Sequence, residues 1–244
     1  MLPRSVTEIA DQWWCRDFAC TPDGLRPPAP HVQTHKGDLT GNTGIWILLV
    51  GEFPVISISA ASGDQVATRA RRWTSSTILD QAALMNELEG CPVQSIVGPA
   101  FIGYATDTTF RSPQHPAARP LTLSDRECVQ ALRAGCTAPE WEHGGSALGE
   151  VPTFGAFTKD GQLAALAGYK IWGGKIAHLS IVTTSSFRTG GFGTAAVAAA
   201  ANSAAAAGLL PQYRTLMSNT PSMRIAEKLG FEHYGVSVYV RMLG

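Results

Sequence analysis

The sequence predicts a mixed α/β (α+β) protein in two parts, a smaller α/β unit at residues 1–118 and a second domain at residues 119–244. Three observations carry this expectation. Strand-length apolar runs alternate with helix-period segments along the whole chain. A polar stretch rich in Thr, Ser, Pro, Gln and His, residues 107–120, reads as the linker. Beyond it, three strand patterns lead into a glycine-rich turn and then an alanine-rich helix.

Residues 5–18 have the period of an amphipathic helix, with Val6, Ile9, Ala10 and Trp13 on one face and Ser5-Val-Thr-Glu8 as a capping box. Prolines between Pro22 and Pro30 turn the chain into a loop. Strands are expected at 45–50 and 55–58, helices at 64–73 and 77–89, and two further strands at 93–97 and 100–105. No chemical motif stands out in this half, and its role is open. After the linker, Ser124-Asp-Arg-Glu127 suggests another capping box, with Leu123 and Cys128 as its staple. Residues 140–150 are polar. Strands follow at 153–157, 163–171 and 176–183, the first two joined by a tight turn at Lys159-Asp-Gly161. The alanine-rich helix ends at Gly208, a strand follows at 213–217 and a helix at 221–229. Residues 231–234 and 236–241 read as a closing hairpin.

Composition excludes several classes. With 19 Lys/Arg and 19 Asp/Glu the formal charge is zero, which gives no attraction to nucleic acid or an acidic membrane. Residues 1–118 carry 8 basic and 11 acidic side chains and residues 119–244 carry 11 and 8, so the second part is mildly basic. The five cysteines, Cys15, Cys20, Cys91, Cys128 and Cys136, have no C-x-x-C spacing and are expected as reduced thiols, with no metal site. The longest strongly apolar run, residues 45–50, is far too short to span a bilayer, and no signal peptide pattern opens the chain, so a cytoplasmic protein is expected.

The informative segment is Arg188-Thr-Gly-Gly-Phe-Gly-Thr194, between a strand and the alanine-rich helix. Glycines permit a backbone path that presents successive N–H groups, and the following helix aims its positive end at the same point. That combination suits a pyrophosphate. A Walker loop fails for want of a lysine. Gly191-Phe-Gly193-Thr-Ala-Ala196 spells the dinucleotide fingerprint, but no Asp or Glu occurs between Asp160 and Glu227 to hold a ribose.

Arg188-x-x-Gly191-x-Gly193 resembles the (Gln/Arg)-x-x-Gly-x-(Gly/Ala) signature of the GNAT superfamily of N-acetyltransferases. The resemblance extends to Ser180-Ile-Val-Thr183 before the turn, to Asn219-Thr-Pro-Ser222 and Glu227-Lys-Leu-Gly-Phe231 after it, and to Arg119-Pro-Leu-Thr122 through Asp125 upstream. It covers roughly residues 119–241. It implies the GNAT acyltransferase fold with a mixed, mainly antiparallel central sheet, and an acetyl-CoA-dependent N-acetyltransferase acting on a primary amine. The acceptor is a small molecule, an antibiotic or a peptide, and a homodimer is compatible with the family. By the same resemblance, Thr189, Gly190, Gly191, Phe192, Gly193 and Thr194 hold the pyrophosphate with Arg188 beside them. Ile181, Val182 and Thr183 pair with the pantetheine, and Asn219 and Ser222 lie beside it and the thioester.

Acetylating an amine requires its neutral form, although an alkyl amine has a pKa near ~10. A base must therefore take a proton, and an acid can assist the departing thiolate. Many members of the family place a tyrosine seven residues after the motif asparagine. Here that position is Ala226. The substitutes in this sequence are His178 as base, titrating at about 6 to 7, Glu142 with its neighbour Glu140, and Tyr234 as acid. Ala226 also leaves a non-catalytic acyl-CoA-binding regulatory module as an alternative.

Overall fold

A computed structural model describes residues 2–60, 63–113 and 118–243. The chain opens with helix α1 (Arg4–Phe18), strands β1 (His31–Thr34), β2 (Ile45–Leu49) and β3 (Val55–Ile58), and helices α2 (Gly63–Ala70), α3 (Ser75–Leu79) and α4 (Gln81–Glu87). Strand β4 (Val93–Tyr104), strand β5 (Ala118–Pro120) and helices α5 (Arg126–Ala134) and α6 (Ala138–Gly144) follow. The remainder is β6 (Thr153–Phe157), β7 (Leu163–Trp172), β8 (Ile176–Thr183), α7 (Phe192–Ala206), β9 (Leu210–Leu216), α8 (Thr220–Leu229) and β10 (Glu232–Met242).

Two compact units result. The first comprises Met1–Ile102, Thr215–Thr220 and His233–Gly244, and the second Gly103–Arg214 and Pro221–Glu232. The boundary expected near residue 118 thus lies within the second unit. Part of the expected linker, residues 114–117, lies outside the described residues. Its described beginning is docked within the second unit, since Arg111 N donates to Leu229 O at 3.0 Å and Phe110 meets Phe231 edge-on.

In the first unit the strand order is β1-β3-β2-β10-β4. β1 runs parallel to β3, while β2 is antiparallel to both β3 and β10. Ile47, Ile56, Trp73, Ile78, Leu84 and Val238 form its core. In the second unit the order is β9-β8-β7-β6-β5, antiparallel from β8 to β5, with β8 and β9 parallel. Neighbouring strand residues face opposite sides. Val182 and Leu166 meet α5 through Val129 and Leu132, whereas Thr183 faces Gly193 of α7. The helices therefore cover both faces of these strands.

Several local expectations fail for identifiable reasons. Helix α1 starts at Arg4 after Pro3 with no side-chain cap, and its buried stripe runs through Val6, Ala10, Trp14 and Phe18, so Trp14 rather than Trp13 is the core residue. The helix expected at 77–89 breaks at extended Asp80, whose carboxylate caps Ala82 N and Ala83 N. The two strands expected around Gly98 are one strand. The capping box before α5 is Thr122 with Asp125, not Ser124 with Glu127, and Leu123 is exposed rather than stapled. The closing hairpin is also one strand, because β10 passes straight through Gly235. A Cβ there would lie 2.7 Å from Leu49 O, so this glycine permits the close approach of β2 instead of a turn.

Candidate functional site

The site begins with an imbalance in the hydrogen bonding of β8. Thr184 N donates to Ala164 O at 3.2 Å, which sets the alternation of an antiparallel pair. Even-numbered residues of β8 direct their backbone groups to β7, and odd-numbered residues direct theirs away. On that other side β9 pairs only through Ile176↔Leu210, Ala177↔Pro211 and His178↔Gln212. Beyond Leu179, whose N–H faces Gln212, the peptide groups of Ile181 and Thr183 face an edge that β9 does not occupy. Val182 is different: it pairs with Leu166 of β7, and its side chain is core. Of the three residues assigned to the pantetheine, only Ile181 and Thr183 lie on the open edge. Gly144 of α6 presses on Ile181 O so closely that a Cβ there would collide with it, and Arg188 Nε donates to Thr183 O at 3.4 Å.

At the end of this edge the chain turns into α7. Thr189 and Gly191 both have positive φ, 67° and 81°, and Gly191 is the N-cap. The first helical bond runs from Ala195 N to Gly191 O at 3.0 Å. The helix has no side-chain cap and no acidic residue in its first turn. An uncapped first turn presents the partial positive charge of its N–H groups, here at Gly193 and Thr194. A Cβ on Gly193 would lie 2.9 Å from Thr183 Oγ1 and 3.3 Å from Ile225 Cδ1, so that glycine lets α7 sit directly against β8 and α8. Gly190 is exposed and would bring a Cβ within 2.9 Å of the Phe192 ring. Arg188 forms an ion pair with Glu140 of α6. The Thr137 N–H, together with that pairing, holds the Glu140 carboxyl below its usual range, so Glu140 serves as a tether.

The second motif splits between roles. Asn219 lies in the first unit, immediately before α8, with its N–H donated to Leu216 O at 2.9 Å. In the second unit, Ser222 Oγ shares a hydrogen bond of 2.8 Å with Tyr213 OH, and Ala226 is buried. Tyr213 was not singled out from the sequence, since an aromatic residue in a strand carries no catalytic signal. Burial pushes its phenol up to about 12.

His178 and Glu142, separated by 36 positions, line one cavity of about 540 Å³ within the second unit. Strands β7 and β8 form its floor through Lys170, His178 and Ser180, α5 one wall, and α6 with the following loop the other. The His178 ring stacks on Trp172 at 3.8 Å, and Nδ1 lies 2.8 Å from Gln212 Oε1. Gln212 Nε2 donates to Tyr104 OH at 2.7 Å, which turns the amide oxygen toward the histidine. Nδ1 therefore carries the proton and Nε2 keeps its lone pair. Burial lowers the imidazole pKa to about 4, and the nearby Arg214 and Lys170 add to the shift. The expected titration at about 6 to 7 is thereby corrected: desolvation of the cation outweighs the hydrogen bond to Gln212. Tyr234 is in the first unit, buried, and donates to Asp11 Oδ1 at 2.7 Å. Among the described residues no group of His, Cys, Asp and Glu is arranged to hold a metal, and no helix is long and apolar enough to cross a membrane. The five cysteines are free.

Residues 123–231 match the model of the acetyltransferase (GNAT) family, and this part of the chain is a GNAT acetyltransferase domain. Solved structures are similar to part of the chain. A GNAT-family acetyltransferase from Novosphingobium aromaticivorans is 24% identical with a TM-score of 0.47, over 62% of this chain and 67% of that one. A GCN5-related N-acetyltransferase from Kribbella flavida is 19% identical with a TM-score of 0.48, over 67% of this chain and 63% of that one. A GNAT-family acetyltransferase from Colwellia psychrerythraea is 14% identical with a TM-score of 0.47, over 67% and 61%. The last two alignments thus leave more than a third of each solved chain unmatched. Comparison with curated proteins finds no match.

Proposed function

We propose that the protein is an acetyl-CoA-dependent N-acetyltransferase acting on a primary amine. One observation carries the reading: the open edge of β8 leads from His178, in the cavity, to the uncapped N-terminus of α7. In this reading the first turn of α7 receives the pyrophosphate, with Thr194 Oγ1 available as a further donor. Ile181 and Thr183 offer peptide groups to the amides of the pantetheine, provided that Gly144 and Arg188 yield part of the edge. Bound acetyl-CoA supplies the activated acyl group.

The residues of the cavity then manage one proton. The ammonium loses one proton to solvent, its nitrogen attacks the thioester carbon, and as the C–S bond breaks the nitrogen gives up a second proton, which protonates the thiolate. The products are an amide, coenzyme A and one proton released to solvent. Full transfer from an alkylammonium with a pKa near ~10 to an imidazole at about 4 would cost about 8 kcal/mol. His178 is thus unsuited to store the proton of the free ammonium. Its neutral Nε2 instead accepts a hydrogen bond from the attacking amine, and water carries the proton away.

Continuous detection of free thiol with acetyl-CoA and a panel of primary amines tests the reading. Amine-dependent thiol release, with the acetylated product found by mass spectrometry, is expected. Tight acetyl-CoA binding with no turnover on any amine would favour the non-catalytic acyl-CoA-binding module, the reading that Ala226 and the low pKa of His178 leave in contention.

A further inference from the structure

We propose that the acceptor is a small zwitterion, an amine that carries its own carboxylate within a bond or two, as an α-amino acid does. This deepens the proposed function and rests on it. The cavity that contains His178 is lined by three cations, Arg126, Arg133 and Lys170, and two carboxylates, Glu142 and Glu150. Elsewhere in the same unit, opposite charges find each other: Arg188 pairs with Glu140, and Arg119 with Asp125 at 2.6 Å. Inside the cavity they do not. None of the five side chains forms an ion pair with a described residue, and the Arg133 guanidinium lies over the Trp141 ring, 5.4 Å from its centroid.

The spacing of these groups explains why they stay apart. Arg126 and Arg133 are two helical turns apart along the exposed face of α5, roughly 10 Å by helix rise. Lys170 stands directly opposite His178 across the β7–β8 pair, and Glu142 and Glu150 come from the opposite wall. Cations and carboxylates thus surround one space without neutralising each other. A ligand of both signs can satisfy both sets.

Each alternative acceptor leaves part of this set unmet. A polyamine, or a protein lysine in a basic segment, would bring only positive charge to a lining with one more cation than carboxylates. A neutral-bodied amine would give the guanidinium groups no partner. A peptide N-terminus has an amide where an amino acid has its carboxylate. A carboxylate matches the planar donor fork of an arginine, and an ammonium matches Glu142 or Glu150. The volume of about 540 Å³ is that of a small-molecule site. His178 is the last residue of β8 paired with β9, so an amine held beside it reaches the point where the open edge begins.

The test compares kcat/KM of the full chain on L-amino acids with that on their carboxamides and on the decarboxylated amines, while acetyl-CoA affinity is measured separately by calorimetry. At least one amino acid is expected to be acetylated about 10-fold or more faster than both of its uncharged analogues. Arg126→Gln with Arg133→Gln should erase that preference through KM, as should Lys170→Gln, with circular dichroism confirming the fold. Equal or better use of the analogues, or a preference unchanged in both variants, overturns the zwitterion assignment alone, whereas acetyl-CoA binding with no acetylation of any amine overturns the proposed function as well. Failure to bind acetyl-CoA overturns the proposed function, and this inference with it.

Discussion

His178 shows how much one residue's surroundings alter its chemistry. The sequence places it on a strand and makes it a candidate base, but nothing in the sequence shows that Trp172 covers one face of its ring or that Gln212 fixes its tautomer. Burial keeps it neutral across the physiological range, against the opposing pull of the Gln212 hydrogen bond. Turnover is therefore expected to rise with pH along the ionisation of the amine itself, with no separate inflection at 6 to 7. His178→Ala should lower kcat by about 10-fold or more with acetyl-CoA affinity unchanged. A wild-type profile that levels off above an apparent pKa of 6 to 7, for amines that ionise well above it, would show that burial does not control this group. Folding stability carries the same signature. Between its ordinary 6.5 and about 4, the unfolded chain binds a proton at His178 that the folded one excludes, so stability falls as pH drops through that window. Asp125, held at about 2 by Arg119 and the Thr122 N–H, adds a loss as pH falls from 3.8 toward 2. Chemical denaturation at pH 7, 5 and 4 should show the first decline, and His178→Gln should flatten it.

At the scale of elements, strands and helices with strong patterns were legible, as at β3, β6 and β8, whose limits match those expected from alternation and flanking turns. Helix α6 was missed because residues 140–150 read as polar, yet Thr137-Ala-Pro-Glu140 is a capping box with proline in its first turn, a local signal sufficient to find it. The long-range partners of glycines were not legible. Gly230 ends α8 with a φ of 77°, and a Cβ there would collide with Thr109 O, which explains the glycine in Leu229-Gly-Phe231. Gly230→Ala is expected to cost about 1–3 kcal/mol in denaturant unfolding, from the strained φ and the displaced backbone together. A loss below about 0.5 kcal/mol would mean that residues 109–111 do not hold this end of the helix. The Glu140–Arg188 pair is half exposed, and Glu140→Gln should change stability by less than about 1 kcal/mol.

For the whole molecule, the sequence divided the chain at one point, whereas each compact unit is built from separated segments. A period or a motif is local, but the pairing of β10 with β2 joins Val236 to Leu49 and cannot be read from either alone. A cut after residue 118 would remove β2 from β10 in the first unit and residues 103–118 from the second. Residues 119–244 alone are expected to aggregate, since β10 would expose an unpaired apolar strand. A monomeric fragment with the thermal stability of the full chain would contradict the two-unit description.

Thr194→Glu separates binding of the acetyl-CoA pyrophosphate at the first turn of α7, on which the proposed function stands, from effects on folding. A carboxylate at the third helical position favours an uncapped helix N-terminus, so thermal stability without ligand should hold or rise. The same charge would face the pyrophosphate. Calorimetric titration with acetyl-CoA is expected to show saturable binding to the wild type and an affinity about 10-fold or more lower for the variant. Equal affinity in the two proteins, with the fold intact, would contradict the assignment.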